Sequence, residues 1–259
     1  MRGREDEFRD ADEVDEAMSV NQALRVRLIA GVRGHAGVSL YGRQVNRRLG
    51  GALASAAYRM QLQPNQVTVA SGLTSAVAIA VLALVRPSLL SGVAVWLLVA
   101  LAYALDSADG QLARLRGGGT VSGEWFDHVL DAGRVVALHC GVLVMVYRFY
   151  DSPDALLLPL LYVILASVLF AAGTLAEIFL REHRTPRISI EPAPAVTLRG
   201  LLLLPLDLGV LALGFVFIGD QSIFLGIYGT FLVLSAVVGT ALLTKWFRQL
   251  SGVVPEGTP

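Results

Sequence analysis

Six stretches of this chain, at roughly 67–85, 89–105, 129–147, 155–180, 201–218 and 223–243, are almost unbroken apolar runs. A helix needs about 20 such residues to cross the hydrocarbon of a bilayer. Backbone groups in lipid must be hydrogen-bonded internally, so each run predicts a transmembrane helix. A transmembrane barrel requires short alternating strands instead, and the sequence shows none. Composition agrees. Charged residues are 16% of the 259, against roughly 25% in ordinary globular chains, and mean hydropathy is +0.61. The single cysteine, Cys140, excludes an internal disulfide and any cysteine-based zinc site. The expected fold is all-α: a polytopic membrane protein of six transmembrane helices.

The net charge of zero hides a polar arrangement. Residues 1–16 hold eight acids and three arginines, whereas residues 17–63 hold seven arginines and no acid. No signal peptide is expected, because the N-terminus is acidic rather than basic and then apolar. Arg43, Arg47, Arg48 and Arg59 precede the first span, and Arg114 and Arg116 follow the second. Arg181, Arg184, Arg187 and Arg199 lie between the fourth and fifth, and Lys245 and Arg248 follow the sixth. The excess of positive charge on these connections predicts that both termini face the cytoplasm. Residues 1–38 read as a flexible charged tail. Residues 39–63 read as an interfacial amphipathic helix, with Leu40, Tyr41, Val45, Leu49, Leu53, Ala56 and Met60 as its apolar stripe. Gly50 and Gly51 count against helicity there. A six-helix membrane domain then spans 64–247, and 248–259 form a short cytoplasmic tail.

The informative chemistry lies in residues 106–131. Asp106 and Asp109 are three apart, and Asp127 and Asp131 four apart, so each pair shares a helix face. Asp106, Asp109, Gly110, Ala113 and Arg114 together occupy one side of the second span. Gly117, Gly118 and Gly119 fold the chain back, so the third span turns its two aspartates toward the first pair. Carboxylates at membrane depth cost a few kcal/mol each and usually line a wet cavity with a function. Four of them repel one another unless a cation intervenes, and carboxylate oxygens suit Mg²⁺, Mn²⁺ or Ca²⁺. Gly110 and Ala113 leave room beside the backbone. Arg114 offers a planar cation suited to phosphate oxygens. The combination describes a pyrophosphate site.

The string Asp106-x-x-Asp109-Gly110-x-x-Ala113-Arg114, then eight residues, then Gly123-x-x-x-Asp127-x-x-x-Asp131, resembles the signature of the CDP-alcohol phosphotransferases, with all eight fixed positions present. Pro64-Asn65-Gln66-Val67-Thr68 is a second, shorter element similar to that family. The resemblance implies a membrane enzyme that moves a phospho-alcohol group from a CDP-alcohol, such as CDP-diacylglycerol, to an acceptor hydroxyl and releases CMP. It further implies that Asp106, Asp109, Asp127 and Asp131 hold Mg²⁺ or Mn²⁺, as two ions, and that Asp131 is the general base. By the same resemblance Gly110, Arg114, Thr120, Gly123, Asn65 and Thr68 meet the nucleotide. Glu124 and His128 are rival bases, four apart on one face, and Gly-Glu-Trp-Phe-Asp-His resembles the choline/ethanolamine branch of the family.

The acceptor stays open. Branches that use inositol phosphate or glycerol phosphate often carry a basic residue directly after the fourth aspartate. Here Ala132 stands in that place and the next cation is Arg134. The basic 181–199 connection suits either an acceptor phosphate or anionic lipid headgroups. Membrane lipids and a second copy of the chain are the expected partners, and nucleic acid is not. Twenty arginines against one lysine suggest a bacterial source and hence a cell-membrane location. The competing class is a membrane cation transporter or channel that uses the aspartates as its ion site.

Overall fold

A computed structural model describes residues 39–182 and 198–252. Among the described residues the regular structure is helical, without a strand. A turn of π-helix, Gly42–Asn46, runs into α1, Arg47–Arg59. Then come α2, Pro64–Leu84, α3, Leu89–Leu115, and α4, Val121–Phe149. A 3₁₀ turn, Pro153–Leu156, leads into α5, Leu157–Glu182. Two short helices, α6, Leu198–Leu202, and α7, Leu208–Gly214, precede α8, Gln221–Ser251. The expected charged tail at 1–38 lies outside the described residues, as do Arg184 and Arg187 of the basic connection and residues 253–259. The helix α8 runs four residues past the expected domain end at 247.

Among the described residues, five segments are long and apolar enough to cross a membrane: α2, α3, α4, α8, and α5 with its 3₁₀ turn. The run at 201–218 differs from expectation. It is a bent pair, Gly200–Leu206 and Leu208–Phe217, at 57° to each other. The reason is local. Pro205 has no N–H to give a helix, and Asp207 adopts an extended conformation. The Asp207 carboxylate restarts the helix by accepting from the backbone N–H groups of Gly209 at 2.8 Å and Val210 at 3.3 Å. The carbonyl freed at Pro205 accepts from the Ser235 hydroxyl of α8 at 2.8 Å. A backbone group left unpaired in hydrocarbon costs several kcal/mol. These side-chain partners are what make a broken helix tolerable here.

Helix ends follow from capping chemistry. Gln63 and Gln66 cap α2 reciprocally with Pro64 in its first turn, and Ser88 and Ser91 do the same for α3. Thr120 starts α4 by accepting from Gly123 N–H at 3.0 Å. Between α3 and α4, Gly117 and Gly118 have φ of +98° and +135°, a region other residues avoid. That turn brings the two aspartate pairs to the same end of the molecule.

Around α1 the expected helix is present, but its faces are used differently from those of a soluble helix. Gly42, Asn46, Gly50, Ala54 and Ala57 are buried, whereas Val45, Leu49, Ala56 and Met60 of the apolar stripe are exposed. Gly50 lies so close to α3 that a Cβ there would fall 2.8 Å from Ser107 Cβ and 2.9 Å from the Gln111 amide nitrogen. Small residues therefore make the closest contact with the protein, Leu40, Tyr41 and Leu53 of the stripe are half-buried, and Val45, Leu49 and Met60 face outward, as expected where lipid is the solvent. Ser39 donates its hydroxyl to Asp207, and the Tyr41 ring lies on Gly209, where a Cβ would overlap it. Burial and the nearby Asp207 charge raise the Tyr41 phenol above its ordinary pKa.

The interior has two apolar clusters. One, with Ala54, Ala57, Val67, Ala108, Leu112 and Leu115, joins α1, α2 and α3 beside the aspartates. The other, around Leu82, Val95, Val142, Met145, Phe215, Phe224 and Tyr228, fills the opposite part of the bundle. Within it His139 Nδ1 pairs with the Tyr228 hydroxyl at 2.6 Å and stacks on Tyr162 at 4.1 Å.

Candidate active site

The two arms of the site are the last turns of α3 and the first turns of α4. A helix places residues three and four apart on one face. α3 thus presents Asp106, Asp109, Gly110, Ala113 and Arg114 together, and α4 presents Gly123, Asp127 and Asp131. The α3–α4 turn sets the two faces against each other. One carboxylate oxygen from each of Asp106, Asp109 and Asp127 lies within 4.8 Å of the others. Asp131, the fourth expected ligand, stands outside that triad and beside Arg134.

Several of these oxygens lack a hydrogen-bond donor. Asp109 is almost fully buried; its Oδ1 accepts from Gly110 N–H at 2.5 Å, while Oδ2 has no partner. Asp127 Oδ1 is likewise buried and unpartnered. Asp106 Oδ1 is ion-paired with the Arg134 guanidinium at 3.0 Å. Buried carboxylate oxygens without donors are rare in folded proteins. The carboxylate oxygens of Asp106, Asp109 and Asp127, gathered within 4.8 Å, fit a hard divalent cation, for which oxygen is the preferred ligand.

A cavity of about 610 Å³ opens against Asp109 and Asp127 of this triad. Its lining contains Asp109, Asp127, Gly110, Ala113, Arg114, Thr120, Gly123, Asn65 and Thr68. Every residue expected to meet the nucleotide is therefore in one wall or another of a single space. Gly110 is open to it, since a Cβ there would meet only the Arg114 guanidinium, at 3.6 Å. Gly123 has a positional reason too: a Cβ would approach Asn65 Oδ1 and Thr120 Oγ1 to 3.1 Å. The N-terminus of α2 can thus close on that of α4.

Glu124 lines the same cavity but is ion-paired with Arg181 of α5 at 2.6 Å, and Arg181 also holds Glu177 at 3.0 Å. His128 is not among the lining residues.

Sequence reasoning treats Arg116 only as a membrane-topology anchor. In the structure it lines the cavity, its guanidinium 5.6 Å from the Tyr58 ring centroid, with buried Nε and Nη2 atoms that lack hydrogen-bond partners. Two residues apart on a helix, Arg114 and Arg116 point to different sides. α3 ends at Leu115, however, and the turning backbone brings Arg116 round. Arg47 is nearby: burial first, and then the charge of Arg114, lower its pKa. Acidic and cationic side chains thus line one cavity.

The sequence model of the CDP-alcohol phosphatidyltransferase family matches residues 61–242. A phosphatidylinositol phosphate synthase of Corynebacterium glutamicum is 32% identical over 133 residues, covering 50% of this chain and 58% of that protein. The chain thus spans a little over half the length of that curated relative. Two crystal structures of the Mycobacterium tuberculosis phosphatidylinositol phosphate synthase have the same fold, each with a TM-score of 0.57 at 20% identity. One, in complex with manganese and citrate, is matched over 80% of this chain and 92% of its own. The other, with CDP-DAG bound, is matched over 82% and 100%.

Proposed function

The chain belongs to the CDP-alcohol phosphatidyltransferase family, and from that premise we propose that it transfers a phosphatidyl-type group from a CDP-alcohol to an acceptor hydroxyl, releasing CMP. The observation that carries this reading is the triad of Asp106, Asp109 and Asp127 oxygens within 4.8 Å of one another, two of whose members, Asp109 and Asp127, line a cavity that Arg114 also lines. CDP-diacylglycerol is the proposed donor, supported by the relative with CDP-DAG bound. Mg²⁺ or Mn²⁺ is the proposed cofactor, supported by the manganese-bound relative and by the unpartnered oxygens.

The cation, when bound, neutralises the carboxylates and the charge that develops on the transferring phosphate. The remaining work belongs to side chains. Arg114 and Arg116 hold the pyrophosphate, the first as a planar fork suited to phosphate oxygens. Asn65, Thr68, Thr120 and Gly123 surround the nucleotide, and Gly110 lets the phosphates approach the α3 backbone. Phosphoryl transfer needs mainly alignment and charge neutralisation. The acceptor oxygen forms a bond to the alcohol-bearing phosphorus as the bond to the CMP oxygen breaks. The acceptor proton passes to the Asp131 carboxylate. Glu124, braced by Arg181, and His128 shape the acceptor side. Both termini are proposed to face the cytoplasm, and two copies to form a dimer.

The test is direct. The full chain is purified in detergent, reconstituted in vesicles and given radiolabelled CDP-diacylglycerol with inositol phosphate, glycerol phosphate or an unphosphorylated alcohol. CMP release with one acceptor, lost in excess chelator and restored by Mg²⁺ or Mn²⁺, is expected. Full turnover in excess chelator would refute the metal site, and no CMP release with any of the three acceptors would refute the proposed transfer from CDP-diacylglycerol.

A further inference from the structure

A second cavity, of about 270 Å³, lies among α4, α5, the bent segment and α8. Most of its wall is apolar, with Leu138, Leu169, Phe170, Leu211, Leu242 and Trp246 in it. The polar groups that line it are already partnered within the protein. His139 Nδ1 pairs with the Tyr228 hydroxyl, and the Tyr162 hydroxyl meets Ser235 Oγ at 3.1 Å. Ser235 donates to the Pro205 carbonyl, and the Asp207 carboxylate accepts from Ser39, Gly209 and Val210. Arg134 stands in the same wall and reaches back to the aspartates. Its Nη2 lies 3.0 Å from Asp106 Oδ1 and donates to Ser71 Oγ at 2.8 Å, and its Nη1 lies 3.1 Å from Asp131 Oδ1. One side chain thus joins the second cavity to the carboxylate that receives the acceptor proton.

We propose that this cavity receives the apolar chain of the acceptor, so that the acceptor is a lipid-type alcohol whose hydroxyl lies on the Asp131 side of Arg134. The proposal rests on the transfer reaction of the preceding section and names its acceptor class. A polar occupant would need hydrogen bonds from groups that already make them with one another, whereas an apolar chain leaves each of those bonds intact. The volume is about nine times the share of one water molecule in the liquid, which suits one short apolar chain rather than a pair of acyl chains. The arginines of α4 and α5 described above are matched by carboxylates, Arg134 by Asp106 and Asp131, and Arg181 by Glu124 and Glu177. Ala132, not a cation, follows Asp131. An acceptor phosphate would therefore have to displace a carboxylate from either arginine, and an uncharged alcohol displaces neither. The alcohol oxygen forms the new ester bond to the phosphorus that carries the diacylglycerol, the CMP oxygen leaves with the bonding pair, and the hydroxyl proton passes to Asp131.

The full-length protein in detergent micelles is given radiolabelled CDP-diacylglycerol and one acceptor at a time, and CMP release is followed. The acceptors are butyl, octyl and dodecyl ethers of glycerol, which share the same two free hydroxyls, and inositol phosphate and glycerol phosphate. The octyl ether is expected to be the best. Ala166→Phe places a ring in the cavity and should lower kcat/KM for the octyl ether, relative to the butyl ether, by about tenfold or more. Partitioning into the micelle is the same for both proteins, so this ratio reports the cavity. Ala166 lies outside the donor cavity, so CDP affinity measured by calorimetry should not change. Leu242→Ala enlarges the cavity and should move the preference to the dodecyl ether; it carries the test if Ala166→Phe does not fold. Equal chain-length preferences in the wild type and the folded variants overturn the proposal. Faster CMP release with either phosphorylated acceptor than with any ether also overturns it, and leaves the transfer reaction standing. Silence with every acceptor refutes the transfer itself, and the acceptor class with it.

Discussion

Gly50 offers a sharp test of how α1 is seated. In a helix interior, glycine is about 0.8–1.0 kcal/mol less favourable than alanine. By propensity alone, Gly50→Ala would stabilise the protein by about that much. The added Cβ, however, falls 2.8 Å from both Cβ and Oγ of Ser107 and 2.9 Å from Gln111 Nε2. Ser107 Cβ is fixed to the α3 backbone. The Gln111 amide is tied to the Arg47 carbonyl at 3.1 Å and to Ser107 Oγ at 3.2 Å. Neither neighbour yields easily, and overpacking of this kind costs about 1–3 kcal/mol. The steric effect wins, for a net loss of up to about 2 kcal/mol. Gly226→Ala on α8 is the matched control, since a Cβ there meets nothing within 4 Å. At about 2–4 °C per kcal/mol for a chain of this size, the two variants should move the melting temperature in opposite directions. Thermal unfolding in detergent at a fixed scan rate measures both. A Gly50→Ala protein that melts at or above Gly226→Ala would refute the close seating of α1 on α3.

Arg114→Lys keeps the charge and loses the planar fork, so CDP affinity should fall by about tenfold or more; calorimetry showing unchanged binding rejects its phosphate role. Asp131→Asn should lower turnover by about 10²–10⁴, the usual worth of a general base, while His128→Ala keeps most of it. The reverse ranking in single-turnover assays would make His128 the base. Ser235→Ala removes the donor to Pro205 and the partner of Tyr162 at 3.1 Å. It should destabilise by about 1–3 kcal/mol, because it leaves a carbonyl unpaired at membrane depth. A melting temperature equal to wild type would show that the break at Asp207 needs no support from α8.

Apolar runs are legible because length and hydropathy decide whether a segment crosses lipid, and the aspartate faces are legible because helical spacing alone aligns them. What the sequence hides is pairing between helices. Arg134 lies three residues after Asp131, so that contact follows from periodicity, but its hold on Asp106 and Ser71 depends on how α2, α3 and α4 meet. Asp207 sits inside an apolar run, where hydropathy outweighs one carboxylate, and the bend it caps is invisible until Pro205 is placed beside Ser235. The apolar stripe of α1 is recognisable as a stripe, but hydrophobicity does not say which way it faces. In water it would turn inward. Beside lipid Val45, Leu49 and Met60 turn out, and Gly50 and Ala54 make the closest protein contact. Arg116 was hidden for a different reason: helical spacing separates it from Arg114, and only the end of α3 reunites them.

The contacts of Ser39 and Tyr41 with Asp207 and Gly209 join positions 168 residues apart. A ribosome adding about 5–20 residues per second makes the second half of that clasp roughly 10–30 s after the first. All four signature aspartates emerge in the interval. The nascent chain therefore carries its complete acidic motif before Ser39 and Tyr41 have Asp207 and Gly209 to fasten to. A chain stopped short of Asp207 would insert the motif intact yet lack that fastening. Maturation of the site is in this sense timed from the far end of the message, and a crosslink between positions 39 and 207 should form only after the bent segment has left the ribosome.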